Sequence, residues 1–332
     1  MPNDSTQEMT VLYRPDSDDL RFLPEGPYPA AGGRLSWVAI QHGPNAATGS
    51  LNLLDPELGE NRTIPLPGRP GFAFPTDEAE VYIAGIERSL CLVHLGSGRS
   101  LELVGGIDAS VEETIINDGV VCDDGLIFGC KDLQFQEAKA GLYHWHAESG
   151  RLTLLDSHQV CSNGKALLDD RTLIDIDSPA QTIDRMALVL DEASSVLRIE
   201  ERTPIVDLRN EDVFPDGLVL SPDRQSVIVA IYKPNPAEFG EVRQYSLATG
   251  EREFTWLVPG SPQVTCPQII RLHNRLVLVV TTAVEHMPAE RHSASPHAGS
   301  LFVAETDWTG EPDTPHVALP PALAEQAHQL AG

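Results

Sequence analysis

Four polar residues, widely separated along the chain, stand beside a glycine at the head of an apolar segment. They are Glu25 in Glu25-Gly26-Pro27, Asn117 in Asn117-Asp118-Gly119, Asn163 in Asn163-Gly164 and Asp216 in Asp216-Gly217. All four offer oxygen. Two carboxylates and two carboxamides form a hard donor set whose two negative charges match a divalent cation, with coordination positions left for water; this is calcium-type chemistry. Mg2+ and Mn2+ share it. Zn2+ fits less well, because it recruits histidine or thiolate and, of those, only Cys266 heads such a segment. Taken singly, Asn-Gly and Asp-Gly pairs are ordinary turn signals. Four of them at equivalent positions of a repeat would instead converge.

Such a repeat is present. A strand ending in a turn recurs at 51–55, 90–98, 141–150, 184–191, 241–250 and 300–310, about every 50 residues, the spacing of a four-stranded propeller blade. A second strand series precedes each copy, at 33–39, 80–85, 125–130, 171–177, 225–231 and 274–281, several of them introduced by turn residues such as Asp123-Asp124-Gly125. The third series comprises the four segments above together with Pro70-Gly71 and Cys266-Pro267. The predicted fold is therefore all-β: a six-bladed β-propeller of four-stranded antiparallel blades, one domain over residues 1–332, with the third series innermost around a central channel. Thr10–Tyr13 is expected to supply the outer strand of the last blade. The tail, 317–332, reads as a short helix packed on the outside.

Composition narrows the function. The 332 residues carry 23 Lys plus Arg against 49 Asp plus Glu, a formal net charge of −26, which argues against a nucleic-acid partner. No window approaches the apolar length of a membrane span, and the polar start, with Asp4 and Glu8, lacks a secretory leader, so a cytoplasmic protein is expected. The five cysteines, at 91, 122, 130, 161 and 266, are isolated and read as reduced thiols. There is no GxSxG elbow, HExxH helix or GxxxxGK[ST] loop.

The ordered set of motifs resembles the SMP-30/gluconolactonase family of six-bladed propellers, whose relatives include the diisopropyl-fluorophosphatase type. Phe22-Leu23-Pro24-Glu25-Gly26-Pro27 resembles its E-G-P, and the stretch from Asn117 to Gly125 resembles its N-D-G-K-x-x-P-D-G. Ser162-Asn163-Gly164 resembles its S-N-G, and Phe214-Pro215-Asp216-Gly217 its P-D-G. The resemblance implies that Glu25, Asn163 and Asp216 ligate one divalent metal, with Asn117 a fourth ligand or a substrate hydrogen-bond donor, and that Asp216 is the general base. It departs at Ile115, where the family's sugar-lactone hydrolases carry an arginine that grips a polyol. A less hydroxylated lactone or ester is then expected, or a polar contact moved to Lys131-Asp132 or to Glu112-Glu113.

Other candidates read as structural. The segment from His286 to His297, with three histidines, resembles a long surface loop of the last blade that could overhang the channel. His144 and His146 share one face of a strand, toward solvent or a neighbouring blade. Cys266 reads as a passive channel wall. The functional expectation is a metal-dependent hydrolase that opens a small-molecule lactone or related ester. An organophosphate or activated-ester hydrolase on the same metal, and a non-catalytic binding propeller, are the alternatives.

Overall fold

The computed structural model describes residues 5–191 and 196–331; Met1 to Asp4 of the polar start and Gly332 of the tail lie outside them. Six sheets are formed, and their innermost strands are Pro24–Ala30, Pro70–Pro75, Thr114–Cys122, Ser162–Asp169, Phe214–Leu220 and Val264–Leu272, in blades I to VI. Within each blade successive strands pair antiparallel from the channel outward. The second strands read as near-continuous aliphatic runs, such as Ser226–Tyr232 and Arg275–Thr282, because both their faces are covered by adjacent blades. Outer strands such as Glu60–Pro65 are largely exposed and correspondingly polar.

Thr10–Tyr13 pairs antiparallel with Leu301–Glu305 and completes blade VI, so the two ends of the repeat lock one another and cover an edge. One strand was not anticipated. Ser5–Glu8 adds in parallel to Arg252–Pro259, making blade V five-stranded rather than four-stranded. The polar composition of this segment suits an outermost, exposed strand. The tail helix, Pro321–Ala331, buries Ala327 and Leu330, and Arg99 of blade II donates to the Leu330 carbonyl at 2.7 Å. No helix among the described residues is long and apolar enough to cross a membrane.

A shared irregularity lies in the inner strands. In all six, the pairing register with the second strand slips at the same level: between Glu25 and Tyr28, Pro70 and Phe72, Ile116 and Asp118, Asn163 and Lys165, Pro215 and Leu218, and Val264 and Pro267. Such bulges re-aim side chains. They fall at the third-series residues, so the Asn-Gly and Asp-Gly pairs are bulges inside strands. The glycines have a packing reason. A Cβ on Gly164 would stand 2.6 Å from the Asp216 carbonyl oxygen, on Gly217 2.7 Å from that of Thr265, and on Gly71 2.4 Å from that of Asn117. Each would strike the backbone of the next blade. Gly164→Ala is therefore expected to cost about 2 kcal/mol or more, read as a lower urea midpoint with the denaturant slope unchanged.

Candidate metal centre

The bulges bring the four candidate side chains to one level of the channel. Asn117 Nδ2 donates to the Ser162 carbonyl at 2.8 Å and to Asn163 Oδ1 at 3.0 Å, which joins blades III and IV. Asn163 Nδ2 donates to Ser178 Oγ at 2.8 Å, and that hydroxyl donates to the Pro215 carbonyl, adjacent to Asp216, at 2.7 Å. On the other side Thr265 Oγ1 donates to the Pro24 carbonyl, adjacent to Glu25, at 2.7 Å. The residue preceding each of Glu25, Asn163 and Asp216 thus offers its carbonyl to a neighbouring blade, and the ring holds the site.

The supporting groups are specific. Asp177 accepts from the Cys161 backbone N–H at 2.7 Å and fixes the start of the strand that carries Asn163. Lys165, fully buried beside Asp175 at 3.0 Å, donates to the Asn163 carbonyl at 2.7 Å. These donors and acceptors leave the amide of Asn117 with its nitrogen engaged and its oxygen free to face a ligand.

Electrostatics are unfavourable without a cation. Burial, then the charges of Asp216 and Asp118, push the Glu25 carboxyl well above its ordinary range. Asp216 is pushed up in the same way by burial and by Asp118, with Lys131 opposing. Its Oδ1 is buried with no hydrogen-bond partner. A buried carboxylate oxygen left bare beside other acids is costly, and a divalent cation between Glu25 and Asp216 relieves both the repulsion and the missing contact. The oxygen-only donor set fits a hard ion. Asp118 and Glu285, whose charges also act on Asp216, were not singled out from the sequence. Asp118 sat inside a quoted motif, whereas nothing in the sequence marked Glu285, which is brought in by the end of blade VI.

Two cavities adjoin this level. One of about 920 Å³, beyond the starting ends of the inner strands, is walled by Lys131, Phe135, Arg69 and Glu285, and by His286, Met287 and His292 of the last-blade loop. That loop does overhang this mouth, and its His286 ring meets Phe135 edge-on at 5.4 Å. The other, of about 1050 Å³, lies toward the far ends of the same strands and includes Asp118, Cys266 and His144 in its wall. The four candidate side chains line neither cavity and sit between them. The smaller one reaches the chemistry, through Lys131 and Glu285. Ile115 is buried directly across the ladder from Lys131. Glu112 and Glu113 are exposed outside the cavity, so neither lines the pocket for which it was a candidate. Asp132 does not face substrate either: it accepts from the backbone N–H groups of Gln134, Gln136 and Glu137 at 3.2, 3.0 and 3.0 Å and pairs with Lys139, pinning the loop that carries Phe135.

Remaining residues take quieter places. All five cysteines are free thiols. Cys266 is buried, and burial holds its thiol well above the ordinary range. His144 and His146 share a face, and His144 Nε2 lies 2.9 Å from Asp124 Oδ1, with Cys122 Sγ 3.3 Å from the same oxygen. This group closes the hairpin between the first two strands of blade III. Burial and the Asp124 charge push the Cys122 thiol up.

Two outcomes follow from these charges. Glu25→Gln or Asp216→Asn removes a buried, repelled charge, so each is expected to stabilise the cation-free protein by about 1 kcal/mol or more while abolishing the rise in melting temperature produced by Ca2+. Thermal unfolding with and without millimolar Ca2+ reads both effects. Asp132 is different: burial opposes its ionisation, but the three N–H donors and Lys139 prevail and hold it down to about 2. Its stabilisation is complete above an ordinary aspartate pKa of about 4 and is lost as pH falls toward 2. Asp132→Asn should accordingly lose about 2 kcal/mol at pH 7, a deficit that shrinks over that window in urea melts.

Comparison with known proteins bears on the family and the fold. The chain is 26% identical over 304 residues, covering 90% of itself and 97% of its relative, to a protein of Bacillus subtilis (strain 168) named putative sugar lactone lactonase YvrE. Its fold is similar to that of regucalcin, a calcium-binding protein from Agrobacterium tumefaciens, with a TM-score of 0.76 at 20% identity over 93% of this chain and 98% of that one. XC5397, a gluconolactonase from Xanthomonas campestris, is similar with a TM-score of 0.61 at 16% identity over 90% and 88% of the two chains. The sequence model of the family described as SMP-30/Gluconolactonase/LRE-like region matches residues 23–284, and the chain belongs to that family.

Proposed function

We propose that this protein is a divalent-cation-dependent hydrolase that opens a small-molecule lactone or related ester. One observation carries the reading: a buried, unpartnered carboxylate oxygen on Asp216, level with Glu25, Asn117 and Asn163, beside a cavity large enough for a small organic substrate. Membership of the family and the near full-length relative named as a putative sugar lactone lactonase support the substrate class. The name of the calcium-binding structural neighbour supports Ca2+ as the ion, with Mg2+ and Mn2+ next and Zn2+ least suited.

Glu25, Asn163 and Asp216 would hold the ion, with Asn117 completing the set through Oδ1. Bound there, the ion supplies Lewis acidity toward an ester carbonyl and stabilises the negative charge that develops on its oxygen. Asp216 is also assigned as the general base, its carboxylate offering a second oxygen to accept a proton from water. Asn117, its nitrogen held by Ser162 and Asn163, is left with Oδ1 alone to offer to the ion and moves no proton. Nothing in this assignment calls on Cys266, His144 or His146.

Turnover of aldonolactones, aliphatic lactones and phosphotriesters by Ca2+-loaded protein separates lactone opening from activated-ester hydrolysis. Asp216→Ala is expected to lower kcat by about 100-fold or more, and chelation to abolish turnover with recovery on adding Ca2+ back. Equal activity of chelated and loaded protein would overturn the cation dependence, and no turnover of any of these compounds would return the molecule to a binding propeller.

A further inference from the structure

Lys131 is the last-but-one residue of the strand Gly125–Asp132, and its backbone bridges to Cys161 at the start of blade IV. That bridge fixes the Lys131 backbone where blades III and IV meet. The residue is only 5% exposed. Yet among the described residues Lys131 makes no ion pair, and its one recorded contact is the face of Phe135, 5.5 Å from the ring centroid. The other buried lysine shows what satisfaction looks like: Lys165 has Asp175 at 3.0 Å and donates to Ser162 Oγ at 2.6 Å and to the Asn163 carbonyl at 2.7 Å.

The Lys131 ammonium reaches the open cavity rather than being sealed in the interior, so its acceptors must come from water or from a ligand held there. Lys131 lines the 920 Å³ cavity, where the other permanent cations are already committed, Arg69 to Glu87 at 2.7 Å and Arg21 to Asp18. Its charge is felt by Glu25 and Asp216, so it lies within electrostatic reach of the candidate centre. Once a divalent ion neutralises that pair, Lys131 is left without a counter-charge of its own. Of the acids lining this cavity, Asp18 is paired with Arg21, Asp19 is exposed to solvent, and Glu285 lies 3.8 Å from His286 Nε2 and makes no ion pair with Lys131.

We propose that Lys131 selects an anionic substrate, receiving a carboxylate or phosphate carried by the lactone in addition to its reacting carbonyl. This rests on the hydrolase reading above and narrows it to acidic lactones. Phe135 walls the apolar side of the same pocket, and the Asp132 cap keeps it there. An ammonium acts here as a point charge, so either anion can satisfy it.

Kinetics with Ca2+-loaded protein on glucono-1,5-lactone, glucaro-1,4-lactone and 6-phosphoglucono-1,5-lactone tests the idea, the last two separating carboxylate from phosphate. Wild-type kcat/KM should be at least tenfold higher on one acidic lactone than on the neutral one. Lys131→Met should reduce that ratio at least tenfold, chiefly through KM, and Lys131→Arg should retain most of it. A ratio unchanged by Lys131→Met, or an equal loss on all three substrates together with weaker Ca2+ binding, would overturn the proposal and make Lys131 a structural counter-charge. If no lactone is turned over, the hydrolase reading fails alone. Calorimetric titration with glucarate, 6-phosphogluconate and gluconate still tests Lys131, and equal affinity for all three overturns its role.

Discussion

The burial of several carboxylates close together in the central channel is the constraint around which this molecule is organised. Burial first, and then the charges of neighbouring acids, hold the protons of Glu25, Asp118 and Asp216 more tightly than those of free acids. A fold gains nothing from such an arrangement by itself. The surrounding ring leaves the side chains no other place to go, and on the proposed reading a cation would turn repulsion into attraction. Stability and function therefore oppose one another at the channel, as expected where buried polar groups await a ligand.

The ring supplies the rigidity. Each inner strand slips register at one level, and small residues there let the next blade's backbone come close. Carbonyls of Pro24, Ser162 and Pro215 are taken by neighbouring blades through side chains of Thr265, Asn117 and Ser178. These contacts cross between sheets, so no single blade could hold its candidate ligand in place. The closure of blade VI by Thr10–Tyr13 then ties the ring shut.

At the mouth, the same logic governs access. The loop pinned by Asp132 and the overhanging last-blade segment enclose a cavity with one uncommitted ammonium. Lys131 and Phe135 both come from blade III, whereas the neighbouring acids Glu25 and Asp216 come from blades I and V. Specificity and reaction chemistry are thus separable: the floor is set by inner strands, the wall by the loops and second strands that follow them.

The blades were legible in the sequence because a strand sandwiched between two others must be aliphatic throughout and must end in turn residues, a pattern that survives without any knowledge of contacts. The candidate ligands were legible because a repeat assigns equivalent places to residues far apart, as it did for Glu25, Asn117, Asn163 and Asp216. The parallel strand Ser5–Glu8 was not, since an exposed outer strand carries no apolar signature. Nor were the bare oxygen of Asp216, the approach of Glu285, the exposure of Glu113 or the isolation of Lys131, which are distances between blades. Local composition determines which segments become strands and where they break; only the closed ring decides which charges meet, because Coulomb energy depends on separation in space and not along the chain.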